Sequence, residues 1–200
     1  MRFQFVRCIL LITVTTAAPT GARGSENQAD LADLREQVLA IGRLTDPPAI
    51  HEANGFVADG VIKPIFYEAL PWKGKPTRVF AWLGVPERGE GKVPGIVLVH
   101  GGGGTAFKEW VAKWNEHGFA AISIAVEGQT DAVQPEGGRG DRWQRQPWGG
   151  PARDGIFADS DEPLPDQWIY HAAADTVLAN SLLRSLPEVD AGKIGVMGIS

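Results

Sequence analysis

Cysteine is nearly absent from this sequence: the 200 residues include one, Cys8, close to the amino terminus. Disulfides, thiolate metal sites and a cysteine nucleophile are therefore excluded from the rest of the chain. Histidine is also scarce, with four residues, and none stands in a spacing such as His-Glu-x-x-His that would indicate a zinc site. We expect neither a metal ion nor a cofactor.

Long apolar runs are missing as well. The stretch from Cys8 to Ala18 is too short to cross a membrane, follows the basic residues Arg2 and Arg7, and precedes small residues at 20–22. This pattern predicts a signal peptide over residues 1–22 and a secreted or periplasmic protein without stable membrane insertion. A mitochondrial-type leader or an uncleaved anchor is the alternative.

Positive charge is not in excess either. The formal net charge of −5 becomes −7 once Arg2 and Arg7 are removed with the leader. An acidic protein is poorly suited to phosphate backbones, so nucleic acid is not an expected partner. With 44% hydrophobic residues, the chain is long enough for one domain with a substantial core. Nothing in the composition indicates an oligomeric state.

The first part of the chain combines one helical and two extended segments. Apolar residues at helical spacing predict a peripheral helix over 30–44, within an N-terminal segment of residues 23–56. Branched and aromatic residues predict strands at 65–70 and 78–85, joined by a turn. We expect these two strands to form the antiparallel N-terminal edge of a sheet.

Strands and helices then alternate. Buried strands are predicted at 95–100, 119–126 and 194–199, and helices at 107–117 and 168–186. Such alternation indicates an α/β fold with a mostly parallel sheet and right-handed crossovers.

A long segment, residues 128–166, has no periodicity. Segments of this length inside a domain are often functional. It is rich in tryptophan and arginine, namely Trp143, Trp148, Arg139, Arg142, Arg145 and Arg153. These side chains either line a pocket for a sugar or an aromatic acid, or pin the segment to its own domain, and we favour the second interpretation.

The last strand ends in Gly198-Ile199-Ser200, the first half of a Gly-x-Ser-x-Gly nucleophile elbow. A glycine-rich loop, residues 100–104, follows an earlier strand and precedes a helix, which is where serine hydrolases of this topology place an oxyanion donor. We therefore predict Ser200 as the nucleophile, and the backbone amide of Gly102, together with that of Gly103, as oxyanion donors.

The same glycines also fit another pattern. Gly101-x-Gly103-x-x-Ala106 matches the dinucleotide-binding fingerprint, and Glu127 ends the next strand about twenty residues later, where a ribose-binding acid would lie. Two predicted strands precede the motif, however, whereas the fingerprint normally opens its domain. The hydrolase interpretation is the one that also explains Gly198-Ile199-Ser200.

None of the four histidines is predicted to be the catalytic base. His100 stands beside the glycine loop and is expected to be a structural, hydrogen-bonded group. His51, His117 and His171 are expected in a loop, at a helix end and at a helix start, respectively.

Taken together, these stretches resemble secreted bacterial α/β-hydrolases of the acetylxylan-esterase-like and dienelactone-hydrolase-like group. The resemblance covers roughly residues 46–200 and is carried by residues 74–82, 100–106, 109–115 and 189–200. It implies an α/β-hydrolase domain over 57–200 that cleaves carboxylic esters, with a small-molecule or polysaccharide ester, plausibly an acetylated plant polysaccharide, as substrate. Dienelactone hydrolases use cysteine as nucleophile, so the serine here favours an esterase.

The resemblance also implies that the site is incomplete. In this fold the triad runs in the order serine, acid, histidine, so the acid and the base are expected beyond Ser200. We expect the chain to be the N-terminal part of a longer protein, truncated at the nucleophile elbow and inactive by itself. A serine peptidase of the prolyl-oligopeptidase type and a non-catalytic carbohydrate-binding relative remain alternatives.

Overall fold

A computed structural model describes residues 22–87, 91–135, 142–155 and 157–199. The described helices are α1 (Ala22–Ile41), α2 (Lys108–Glu116) and α3 (Trp168–Ser185). The strands are β1 (Ile50–Glu52), β2 (Ile62–Trp72), β3 (Lys75–Gly84), β4 (Val93–Val99), β5 (Ala120–Ile124), β6 (Gln129–Val133), β7 (Trp143–Arg145) and β8 (Val189–Gly198). The chain divides into two compact units, residues 1–33 and 34–200, and every strand belongs to the second. The predicted signal peptide up to residue 21 and the candidate nucleophile Ser200 lie outside the described residues.

Within the described residues, six strands form one sheet in the order β1-β2-β3-β5-β4-β8. The neighbours from β1 to β5 are antiparallel, whereas β4 runs parallel to both β5 and β8. Strands β2 and β3 are joined by Lys73 and Gly74, whose φ angles of 48° and 74° give the positive-φ turn that matches the twist of a two-residue hairpin. This is the α/β-hydrolase arrangement predicted from the sequence, with its antiparallel N-terminal strands.

The core lies on both faces of the sheet. In β4, successive residues point to opposite faces, so Val97 packs in one apolar cluster and Leu98 in the other, and both are fully buried. Helix α3 covers the first face through Leu182 and Leu183, and α2 covers the second through Val111. Because β4 has a helix on each side, its sequence is apolar throughout.

The predicted strands and the helices at 107–117 and 168–186 are confirmed, with bounds that differ by a few residues. The N-terminal helix spans Ala22–Ile41 instead of 30–44, and the outer strand β1 was not predicted. The segment 128–166 is not without regular structure, because β6 and β7 pair within it. None of the described helices is long and apolar enough to cross a membrane.

The prediction that the last strand is buried is wrong for the described residues. Strand β8 forms, but Val196 and Ile199 remain 56% and 52% exposed. The reason is topological: β8 pairs with β4 on one side, and no described strand lies on its other side.

Candidate active site

The glycine-rich loop, residues 100–104, leaves the carboxyl end of β4 and leads into α2. Its conformation depends on glycine at position 103, where φ is +73°, a region that other residues rarely occupy. The next residue, Thr105, is fully buried and donates from Oγ1 to the Thr130 carbonyl at 3.0 Å. The Phe107 amide donates to Ser123 Oγ at 2.9 Å, which fixes the start of α2 against β5. The loop is therefore held at both ends.

The two glycines predicted as oxyanion donors differ in their surroundings. The Gly103 amide donates to Glu127 Oε1 at 3.1 Å, and the Gly103 carbonyl accepts a hydrogen bond from Trp143 Nε1 at 3.1 Å. Gly102 is exposed, and its amide has no acceptor among the residues that the structure describes. Of the two, the Gly102 amide is the one left available to a ligand, and the oxyanion role of either glycine stays a prediction.

Charged groups flank this loop. Glu127 follows β5, and burial raises the pKa of its carboxyl, while the Gly103 amide and the guanidinium groups of Arg153 and Arg145 counteract that rise. The Arg153 guanidinium lies so close to Gly102 that a Cβ atom at position 102 would overlap it. It also lies 5.7 Å from the centre of the Trp168 ring. A cationic group therefore stands beside the exposed glycine of the loop.

The tryptophans and arginines of residues 142–153 mostly bind the domain itself. Arg145 donates to the Glu127 carbonyl at 2.7 Å and to the Gly150 carbonyl at 2.6 Å. The Arg78 amide donates to the Trp148 carbonyl at 2.9 Å, and the Arg78 guanidinium stacks 4.6 Å from the Trp148 ring centre. These contacts support the interpretation that the segment is pinned to its domain; Arg139 lies outside the described residues.

Strand β8 brings the end of the chain to the same edge of the sheet. In the parallel register Gly198 lies opposite Val99, and the Ile199 amide donates to the Val99 carbonyl at 3.1 Å. Val99 directly precedes His100 and the glycine-rich loop. Because the carboxyl ends of parallel strands meet at one edge, Ile199 lies at the edge of the sheet from which the glycine-rich loop leaves β4.

The histidines hold structural positions. His171 lies in the first turn of α3, where it is buried and bonded to the Pro165 carbonyl at 2.8 Å. His51 lies in β1, not in a loop as predicted, and faces Glu68 at 2.9 Å; exposed His117 follows α2. No three histidine, aspartate or glutamate side chains of the described residues are grouped to hold a metal ion.

A cleft of about 540 Å³ lies away from this site. It is lined by Val85, Val93 and Glu188, among others, and Val93 is the first residue of β4, whereas the glycine-rich loop follows the last. This cleft therefore lies at the opposite end of β4 from the glycine-rich loop and from the carboxyl end of β8.

A family model described as acetyl xylan esterase (AXE1) matches residues 65–200, more than half of the chain. Among solved structures, acetyl xylan esterase 1 from Thermoanaerobacterium sp. JW/SL YS485 is 19% identical with a TM-score of 0.54, over 84% of this chain and 50% of that one. The acetyl xylan esterase from Paenibacillus sp. R4 is 21% identical with a TM-score of 0.53, over 82% and 49%. A putative acetyl xylan esterase from Bacteroides fragilis NCTC 9343 is 13% identical with a TM-score of 0.52, over 83% and 46%. The chain thus spans about half the length of these structures, and no curated protein sequence matches it.

Proposed function

The chain belongs to the acetyl xylan esterase family, and on this premise we propose that the protein that carries it is a serine esterase that removes acetyl groups from polysaccharide or small-molecule esters. The observation that supports the proposal best is the meeting of two motifs at one edge of the sheet. The Ile199 amide is bonded to the Val99 carbonyl; in the sequence Ser200 follows Ile199, and the glycine-rich loop follows Val99.

In the proposed reaction the Ser200 hydroxyl attacks the carbonyl carbon of the ester, and the oxyanion that forms accepts a hydrogen bond from the Gly102 amide. A general base takes the serine proton and returns it to the departing alcohol, leaving an acetyl-serine that water hydrolyses. The positions of His51, His117 and His171 do not favour any of them as this base, because two are bonded elsewhere and the third caps the C-terminal end of α2, whereas the glycine-rich loop precedes that helix.

The base and its acid partner therefore belong, in our proposal, to a part of the protein beyond these 200 residues. The solved structures that the chain matches are about twice as long, which leaves room for them. The exposure of Gly102 and Gly103 suits a hydrated carbohydrate ester. We further propose that residues 1–22 direct the protein out of the cytoplasm, which a comparison of mature and precursor masses would test.

The function is tested by kinetics on the full-length protein that carries this chain, expressed without residues 1–22. We expect hydrolysis of 4-nitrophenyl acetate and release of acetate from acetylated xylan, both reduced by about 10⁴-fold or more in Ser200→Ala. Ser185→Ala is the matched control, since Ser185 ends α3 and donates to the Leu182 carbonyl. A folded wild-type protein that cleaves neither substrate, or a Ser200→Ala variant with wild-type rates, would contradict the proposal.

A further inference from the structure

The peptide group between Gly101 and Gly102 is anchored at its carbonyl end. Its carbonyl, that of Gly101, accepts a hydrogen bond from the Gly104 amide at 3.0 Å and lies 2.7 Å from His100 Nδ1. Its N–H, that of Gly102, is the one that meets no acceptor among the described residues. One end of this peptide is thus held by two groups, and the other is exposed.

The other ring nitrogen of His100 identifies the tautomer. His100 Nε2 lies 3.1 Å from the Val126 amide nitrogen, and a backbone N–H can only donate, so Nε2 must accept and carries no proton. The Gln129 amide group agrees: its Oε1 accepts from the Glu127 amide at 2.8 Å, so its Nε2 is the atom facing His100 Nε2 at 3.2 Å. His100 is therefore neutral, with its proton on Nδ1, from which it donates to the Gly101 carbonyl.

A planar trans peptide links the two ends of this group. No described peptide bond is cis, and in a trans peptide the carbonyl and the N–H point in opposite directions. Holding the Gly101 carbonyl therefore sets the direction of the Gly102 N–H. We propose that His100, as the neutral Nδ1–H tautomer, is a positioning residue that aims the Gly102 amide at the oxyanion, an inference that rests on the proposed esterase function.

The donors that face Nε2 favour the neutral ring. The N–H groups of Val126 and Gln129 both face His100 Nε2. A proton on Nε2 would point at these two donors, which is unfavourable. The charged groups nearby are the Arg153 guanidinium, from the segment beside Gly102, and the Glu127 carboxylate, which is engaged by Gly103. Burial lowers the pKa of His100; the hydrogen bond with the Gly101 carbonyl counteracts part of this effect, and the Arg153 charge adds to it.

Two substitutions separate positioning from general support. His100→Asn keeps a donor near the position of Nδ1, whereas His100→Gln extends its amide toward Val126 and lacks the donor to Gly101. On the full-length protein we expect His100→Gln to lower kcat for 4-nitrophenyl acetate about 10- to 100-fold with KM within twofold, because a misdirected oxyanion donor is lost mainly in the transition state. We expect His100→Asn to recover a clear part of that kcat, and the control His117→Gln, on an exposed histidine, to match the wild type.

The positioning role would be overturned if both His100 variants had the kcat of the wild type. It would also be overturned if kcat fell in both variants in proportion to their loss of stability. An inactive wild type would overturn the esterase function instead. Long-range ¹H–¹⁵N NMR of the imidazole rings tests the geometry without activity or mutation: a neutral ring with the proton on Nδ1 supports the inference, and a proton on Nε2 refutes it. Gly104→Ala is the second variant, because its Cβ would lie 2.9 Å from His100 Cβ and Nδ1 and 3.0 Å from the Gly101 carbonyl oxygen. It should lower kcat by displacing the intact ring and the carbonyl that the ring holds.

Discussion

Gly84 is the position where the structure predicts the sharpest effect of adding one methyl group. It lies in β3 under helix α2, and a Cβ atom there would overlap Asn115 Oδ1 and lie 2.7 Å from Val111 Cγ1. Neither neighbour yields easily. Val111 is fully buried, and Asn115 Nδ2 donates to the Gly84 carbonyl at 3.0 Å and to the Phe119 carbonyl at 2.8 Å.

Gly84→Ala should therefore lower the free energy of unfolding for two reasons. Overpacking a well-filled core costs about 1–3 kcal/mol, and weakening the two Asn115 hydrogen bonds adds about 0.5–1.5 kcal/mol for each bond lost. We expect a total of roughly 2–6 kcal/mol if both bonds are lost, a large part of the 5–15 kcal/mol that is typical of a folded protein.

The assay is urea unfolding of the full-length protein, with the midpoint compared at unchanged m-value. Gly42→Ala is the matched control, because a Cβ atom there meets only the Leu39 carbonyl, at an ordinary 3.4 Å, and the backbone φ is compatible with alanine. A Gly84→Ala midpoint equal to that of the control would refute the packing of α2 on β3 described above.

Three further predictions concern buried polar groups and the glycine-rich loop. Burial raises the pKa of Asp175 well above its usual value. The protein therefore has its full stability below the pKa that Asp175 has in the unfolded chain, and it loses stability as pH rises through the pKa of the folded state. Asp175→Asn should raise Tm at pH 7 but not at pH 3, whereas Asp161→Asn, at an exposed position, should change Tm at neither pH. Tyr67→Phe removes the 2.9 Å bond to the Asp175 carbonyl and should cost about 0.5–1.5 kcal/mol in urea unfolding; no loss would contradict that bond. Trp143→Phe removes the donor to the Gly103 carbonyl and should lower kcat several-fold with Tm nearly unchanged, whereas an unaltered kcat would show that the segment does not support the loop.

The order of strands and helices follows closely from the sequence because their apolar patterns are long. The continuous apolar run of β4 and the helical spacing in α3 leave little choice, and both elements form where the pattern predicts them. The hairpin of β2 and β3 is equally local, since Lys73 and Gly74 supply its turn.

The features that sequence reasoning missed depend on contacts between distant residues. Strand β1 has three residues, too few for any periodicity, and exists because it pairs with β2. The position of Glu127 after a strand fits a ribose-binding acid, whereas in the structure its carboxylate accepts a hydrogen bond from the Gly103 amide. The apolar residues of β8 predict a buried strand, but β8 lies at the edge of the described sheet, where Val196 and Ile199 remain exposed.

The tautomer of His100 shows how much of a site lies beyond its motif. The sequence places a histidine before four glycines, and a structural role could be predicted from that. The direction of its donation depends on Val126 and Gln129, which belong to the next strand–turn unit and carry no signal of this role. The pinning of the loop by Trp143 is of the same kind.

The most direct test of the proposed function is to identify the residue that reacts with a serine-directed fluorophosphonate. The full-length protein would be labelled, digested and analysed by peptide mass spectrometry. The account predicts a single adduct on the peptide that contains Ser200, competed by 4-nitrophenyl acetate and absent in Ser200→Ala. An adduct on another residue, or a folded protein that hydrolyses acetyl esters without reacting at Ser200, would contradict it.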